Sequence, residues 1–153
     1  ASDNYPKRYR KLMKHLLYSF LLGILFSCSN PTKETIKKTL DLSLELCTAG
    51  WNTYGAMALP GSQLYKDAIE KGLELPDSYE GYSFHSFDTV PLPTETLSAS
   101  EVITLRDEAF TKYHTHEPFL KLIESKFGKS AASNILEMTK IKLKRRIKGD
   151  QLS

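Results

Sequence analysis

Residues 51–72 have the pattern of one strand, a sharp turn and one helix, and this unit limits the fold more than any other feature. Trp51 to Leu59 is an apolar run with the composition of a mostly buried strand. It breaks at Pro60-Gly61, and Ser62 can then cap a helix that is predicted to stop at Gly72. One strand cannot form a sheet, because its backbone donors and acceptors need neighbours. We therefore expect either that strands from a parent barrel complete the sheet or that the isolated segment repacks.

A helix is predicted before this unit, with Asn30 as its cap, Pro31 at its first position and Ala49-Gly50 at its end. Its apolar residues recur at spacings of four, four and three and end at Cys47, which gives one amphipathic stripe. Helix, strand and helix joined by short turns are typical of an α/β barrel or a doubly wound sheet.

The remainder of the chain is predicted to be an irregular segment followed by helices. Residues 73–97 show no period but contain several aromatic residues, so we expect an ordered cover rather than disorder. A capping box at Ser98–Glu101 opens a helix through Phe110, a second covers Glu117–Phe127, and a third is predicted over 130–148. The predicted fold class is therefore a predominantly helical α/β fragment.

Residues 32–148 resemble the carboxy-terminal part of radical SAM enzymes, in the branch that carries an amino-terminal cobalamin-binding domain. The resemblance depends on the Pro-Gly-Ser turn after a strand, the run Leu-Pro-Asp-Ser-Tyr-Glu-Gly-Tyr-Ser-Phe-His over 75–85, Leu-Pro-Thr-Glu-Thr-Leu-Ser over 92–98, and a basic helix containing Lys-Arg-Arg. It implies that 31–72 is the last strand–helix unit of a partial (β/α) barrel. Residues 73–97 would then be an aromatic cover loop and 98–153 a helical tail.

The resemblance also implies a chemistry. Enzymes of this family cleave SAM reductively at a [4Fe–4S] cluster, and members with cobalamin often transfer methyl groups. Three cysteines hold such a cluster, whereas this sequence has only Cys28 and Cys47 and no Cys-x-x-x-Cys-x-x-Cys motif. We therefore expect SAM, the cluster and cobalamin to be bound by a parent protein, with the remaining barrel and the cobalamin domain as partners. The isolated chain is expected to hold none of them and to be inactive, and the small-molecule substrate is not indicated.

The candidate cofactor-binding residues follow from the same resemblance, because the last strand of such barrels lines the adenosine side of SAM. Those residues are Tyr54, Ala56, Ala58, Leu59, Gly61 and Ser62. From spacing alone, an ordinary turn into a helix is favoured for the Pro-Gly-Ser stretch over a site where backbone N–H groups bind a carboxylate or phosphate.

Histidines supply the other candidates. His85, in the aromatic segment, is the candidate catalytic residue as a proton donor, with a structural hydrogen bond to a backbone carbonyl as the alternative. His114, His116 and Glu117 offer too few converging ligands for zinc and favour a solvated turn, so no metal site is predicted.

Residues 1–30 allow a different reading. A basic stretch over 7–15 is followed by eleven uncharged residues over 16–26. The end of this run, Leu25-Phe26-Ser27-Cys28, resembles the cleavage box of bacterial lipoproteins. The alternative function is therefore a small lipid-anchored binding protein processed at Cys28, with membrane contact only in that case. A buried barrel element or an altered start explains the same residues. A degraded gene remnant without activity remains a third possibility for the whole chain.

Charge adds little to either hypothesis. The net charge of +3 is too small to argue for nucleic acid. The basic tail over 140–148 is explained by favourable interaction of its charges with the dipole of a helix, so no nucleic-acid partner is predicted. The resemblance to radical SAM enzymes implies a cytoplasmic location, and the lipoprotein alternative implies a membrane-anchored one.

Overall fold

A computed structural model describes residues 31–152, and it confirms that the chain is predominantly helical. There are five α-helices and two short 3-10 helices in this part of the chain: α1 Lys33–Leu46, α2 Gln63–Glu70, α3 Ala99–His114, α4 Glu117–Phe127 and α5 Lys129–Lys140, with 3-10 helices at Tyr79–Tyr82 and Arg146–Lys148. Residues 31–153 belong to one compact unit.

Side-chain caps fix where the helices begin. Thr32 caps α1 with its hydroxyl, two residues after the predicted cap, so the predicted start was slightly early. Ser62 caps α2 as predicted, accepting from the Tyr65 N–H at 3.1 Å. Ser98 and Glu101 form the predicted capping box of α3, in which each side chain satisfies a backbone N–H of the other residue.

Helix α3 lies at the centre of the packing. It contacts α1, α4, α5 and the 3-10 helix Arg146–Lys148, while α4 and α5 pack against each other. Its inward face buries Ile103, Ala109 and Tyr113, and Phe119 of α4 is buried against the Tyr113 ring at a centroid distance of 5.1 Å. Burial of the large side chains of Ile103, Tyr113 and Phe119 contributes hydrophobic stabilisation to this region.

The predicted strand over residues 51–59 is not formed, and no strand occurs anywhere in 31–152. The segment instead runs irregularly along the helical body, with Trp51 stacked on Tyr113 at 5.5 Å and Gly55 close to Val102 of α3. One hydrogen bond, from the Leu92 N–H to the Ala56 carbonyl at 2.9 Å, joins it to the later irregular segment. A strand requires a ladder of such bonds along a neighbour, and the described residues provide no neighbouring strand.

Residues 73–97 are irregular, as predicted, apart from the 3-10 helix Tyr79–Tyr82. They are nonetheless well packed, because Thr89 to Leu92 and Leu97 are all buried. The close approach of the chain at Gly81 shows the same thing, since a Cβ there would lie 2.5 Å from Pro76 Cβ and 2.9 Å from the Asp88 carbonyl oxygen.

The last predicted helix is wrong in its second half. Helix α5 ends at Lys140, and residues 141–145 have no regular secondary structure. Arg145 has extended backbone angles and a side chain without any exposed surface. The burial of this one side chain against α3 explains why the segment leaves the helical path.

Candidate functional site

The Pro60-Gly61-Ser62 turn has the geometry of a tight entry into a helix. Gly61 adopts φ +87°, a conformation that favours glycine, and nothing lies within 4 Å of the position its Cβ would take. The Ser62 hydroxyl accepts from Tyr65 N–H and donates to the Leu59 carbonyl at 2.7 Å. Both hydroxyl functions therefore serve the turn, and a role of Gly61 and Ser62 toward SAM stays a prediction.

The other predicted cofactor-side residues divide between surface and core. Tyr54 and Leu59 are 59% and 53% exposed, and Ala56 is exposed as well. Ala58 is buried with Ala68 and Leu92. The three exposed residues are thus available to border a ligand or another protein segment, whereas Ala58 belongs to the core of this chain.

An arginine that the sequence did not single out lies among three aromatic rings. The guanidinium carbon of Arg106 is 5.7 Å from the centroid of Tyr54, 5.8 Å from Phe84 and 5.5 Å from Phe110. Its Nη1 donates to Asp107 Oδ1 at 3.0 Å, while its buried Nε has no partner in the described residues. Cation–π attraction of this kind stabilises a desolvated guanidinium, so Arg106 holds Tyr54 and the aromatic segment on α3.

His85 follows Phe84 in the sequence and lies on the surface, and it does not belong to the cluster around Arg106. Its side chain is exposed, and its backbone N–H donates to the Ser83 hydroxyl at 3.3 Å. No hydrogen bond of the His85 ring is present in residues 31–152, so the structural alternative of a bond to a backbone carbonyl is not observed. Its role as a proton donor stays a prediction.

The predicted solvated turn at His114 and His116 is wrong for His114. The His114 ring is buried, with Nδ1 2.8 Å from the Phe110 carbonyl oxygen and its face 4.2 Å from the Phe110 ring. It fills the contact between α3 and α4, because Phe119 meets it edge-on at 5.3 Å. Within the described ranges no three His, Cys, Asp or Glu side chains are grouped as metal ligands.

Tyr113 and Cys47 form a small polar contact beneath Trp51. The Tyr113 hydroxyl donates to the Ala49 carbonyl, and burial, followed by its interaction with the Cys47 thiol, raises the pKa of Tyr113. Cys47 is a free, half-buried thiol with a left-handed backbone at the end of α1. The arrangement fastens the end of α1 to α3.

A second charged cluster, also not foreseen, joins the tail to α3. The fully buried Arg145 donates from Nε to Asp107 Oδ2 at 3.1 Å, from Nη2 to Asp107 Oδ1 at 3.0 Å, and from Nη1 to the Ser86 carbonyl at 2.9 Å. Asp107 is therefore part of a buried ion pair and not of a solvated helix face. The alternation of Lys and Arg with Ile and Leu over 140–148 is the sequence feature that could have indicated this cluster. The same residues were instead predicted to continue the helix.

Beside this ion pair lies an open groove of about 590 Å³. One wall is a single stripe of α3 and the other is the tail after α5. The stripe consists of Thr104, Asp107, Glu108, Thr111 and Lys112, and the tail contributes Lys142, Leu143, Lys144, Lys148 and Asp150. The groove is a concave surface in which lysines outnumber carboxylates.

Comparison with models of protein families, with curated proteins and with solved structures finds no match to this chain. The resemblance to radical SAM enzymes therefore stays a prediction. Among residues 31–152, none of the helices has the length and apolar character needed to cross a membrane. Cys28 and the leader-like stretch before it lie outside the described residues.

Proposed function

We propose that this chain is the carboxy-terminal segment of a radical SAM enzyme of the cobalamin-binding branch, in which residues 51–59 supply the last strand of the barrel. The observation that carries the proposal is the absence of backbone hydrogen-bond donation by residues 51–58 of this segment in the described residues. None of the N–H groups of residues 51–58 donates a hydrogen bond within the described part of the chain. Unpaired backbone N–H groups along a segment are available to pair with a neighbouring strand.

Alternating exposure over residues 51–57 supports the same role, and the alternation ends at the buried Ala58. Residues 51, 53, 55 and 57 are half-buried against the helical body, and residues 52, 54 and 56 between them are exposed. A period of two is the pattern of a strand that has one covered face. The exposed residues include Ala56 and Tyr54, although the Tyr54 ring also contacts Arg106 and Phe84. The family resemblance implies that both residues face SAM.

The chain itself does not fit an iron–sulfur cluster. Such a cluster needs three protein thiolates, and this sequence has two cysteines. Under this proposal SAM, the cluster and cobalamin are bound by the rest of the parent protein. The contribution of this chain is a strand, the Pro-Gly-Ser turn and the packed cover over 73–97.

The proposal is tested on the native protein, captured from its source with an antibody against α5. Intact mass, iron, acid-labile sulfide and SAM cleavage under reducing conditions are measured on the captured material. We expect a mass well above 17.3 kDa together with iron, sulfide and SAM cleavage. A mass of 17.3 kDa without iron would contradict the proposal, and a lipid-sized addition to a chain starting at Cys28 would favour the lipoprotein instead.

The purified 153-residue chain provides the complementary measurement. After reconstitution with iron and sulfide it should not cleave SAM above a protein-free blank. Cleavage by this chain alone would overturn the division of roles between segment and parent.

A further inference from the structure

The groove between α3 and residues 142–150, here called the tail groove, has one wall built by helical spacing. Its α3 residues occupy positions 104, 107, 108, 111 and 112, which lie on one face of a helix because they are three or four apart. The groove volume of about 590 Å³ is in the range of small-molecule sites in proteins.

The opposite wall is held rigidly. Gly149 adopts φ +82°, and the turn is closed by the Arg145 N–H donating to Asp150 Oδ2 at 2.7 Å and by the Asp150 N–H donating to the Arg145 carbonyl. Because Arg145 is itself buried against Asp107, the turn is attached to α3 through a buried ion pair. The lysines of the tail thus project from a fixed backbone.

The charge that the tail groove presents is positive. Among the described residues, four lysines and three carboxylates line it. Asp107 is already bound by both Arg145 and Arg106, and Lys112 is paired with Asp41 outside the groove, so three lysines remain against two carboxylates. Within residues 31–152 the Lys148 side chain forms no ion pair or hydrogen bond, and the Lys142 ammonium group makes only a long 3.4 Å bond to the Thr111 hydroxyl. These two ammonium groups can bind an anion without giving up an ion pair.

The donor set indicates which anion fits. No arginine among residues 31–152 lines the groove, and arginine is the residue that matches a planar carboxylate with two parallel bonds. Lysine ammonium groups with threonine hydroxyls suit oxygens spread in three dimensions, as on phosphates. In the described part of the chain no aromatic side chain lines the groove for base stacking, and Glu108 and Asp150 would repel a continuing nucleic-acid backbone.

We propose that the tail groove binds a short oligophosphate group of a small molecule, with Lys142 and Lys148 as its principal contacts. The proposal does not depend on the radical SAM assignment, so either can fail alone. A short chain of phosphates matches the limited length of the groove and its several ammonium donors.

The test uses the full 153-residue chain and isothermal titration with tripolyphosphate, pyrophosphate and orthophosphate. We expect saturable one-to-one binding that weakens in that order. The double variant Lys142→Gln/Lys148→Gln should weaken tripolyphosphate binding by about tenfold or more, because each of the two substitutions removes a charge-assisted hydrogen bond to the ligand. The matched control is Lys37→Gln/Lys66→Gln, which removes the same charge from exposed lysines on α1 and α2.

One further variant and one further ligand complete the test. Glu108→Gln removes a repelling carboxylate and should tighten tripolyphosphate binding, which keeps the proposal testable if the lysine variant does not fold. A short RNA, oligouridylate, should bind no more tightly than tripolyphosphate. Absence of saturable binding, equal weakening in the control, or tighter binding of oligouridylate with the same lysine dependence would each overturn the proposal.

Discussion

Arg145 and Asp107 are joined by two parallel hydrogen bonds, from Nε to Oδ2 at 3.1 Å and from Nη2 to Oδ1 at 3.0 Å. The Arg145 side chain has no exposed surface, whereas the Asp107 side chain is 24% exposed. The pair connects the tail to the central helix, and both the tail groove and the end of α5 depend on it.

Removing the acidic partner should be strongly destabilising. Asp107→Asn leaves the buried Arg145 uncompensated, and we expect a loss of about 3 kcal/mol in the free energy of unfolding in urea. The control is Asp41→Asn, which breaks an exposed pair with Lys112 at 3.4 Å and should cost less than about 1 kcal/mol. Equal losses for the two variants would show that the Arg145 pair has no special role.

Gly55 gives a direct test of how the segment 51–59 lies on α3. A Cβ at residue 55 would be 2.7 Å from Val102 Cγ1, so Gly55→Ala should destabilise the chain by about 1–3 kcal/mol through overpacking. The matched control is Gly50→Ala, since nothing lies within 4 Å of that position.

A double-mutant cycle adds the specific contact. Adding Val102→Ala to Gly55→Ala should recover part of the loss, because the clashing methyl group is then absent. Fluorescence of Trp51, the single tryptophan, reports whether the segment is still docked. Strictly additive effects of the two changes would contradict the observed contact.

The link between α1 and α3 should make stability fall in acid. A hydrogen bond from Lys33 and then bonds from the Ser98 N–H and hydroxyl lower the pKa of Glu101 from 4.5 to about 2. A carboxyl whose pKa is lowered by folding stabilises the fold above its unfolded value, and this contribution is lost as the pH falls through the folded value. The loss is therefore expected between about pH 4.5 and pH 2.

Urea midpoints at pH 7, 4.5, 3 and 2 measure this effect. Glu101→Gln should lower stability at pH 7 and flatten the profile in the acid window, and Lys33→Gln should flatten it partly. A Glu101→Gln profile parallel to that of the unchanged chain would rule out this carboxyl as a source of the acid dependence.

Local rules predicted much of this fold. Ser62 and Ser98 cap helices because their hydroxyls reach the N–H groups of the first turn, and Gly128 ends α4 after Phe127 as predicted. Such signals involve residues three or four apart, so the sequence contains them in readable form.

Long-range contacts explain what the sequence did not predict. Arg145 is buried and pairs with Asp107, 38 residues earlier in the chain. The helix before it ends at Lys140, earlier than the sequence pattern indicated. His114 is in the core because α4 folds back onto it, and Arg106 is surrounded by rings from three separate segments. Residues 51–59 have a strand-like sequence, yet strand formation depends on neighbours that residues 31–152 do not contain.

The most direct measurement of the central claim is amide hydrogen exchange of residues 51–58 in two samples, the isolated chain and the native protein captured through α5. In the isolated chain these amides should exchange rapidly, because none is hydrogen-bonded in the described structure. In the native protein they should be protected, with the exchange of α3 amides serving as the internal reference. Rapid exchange of residues 51–58 in both samples would contradict their role as the last strand of a barrel.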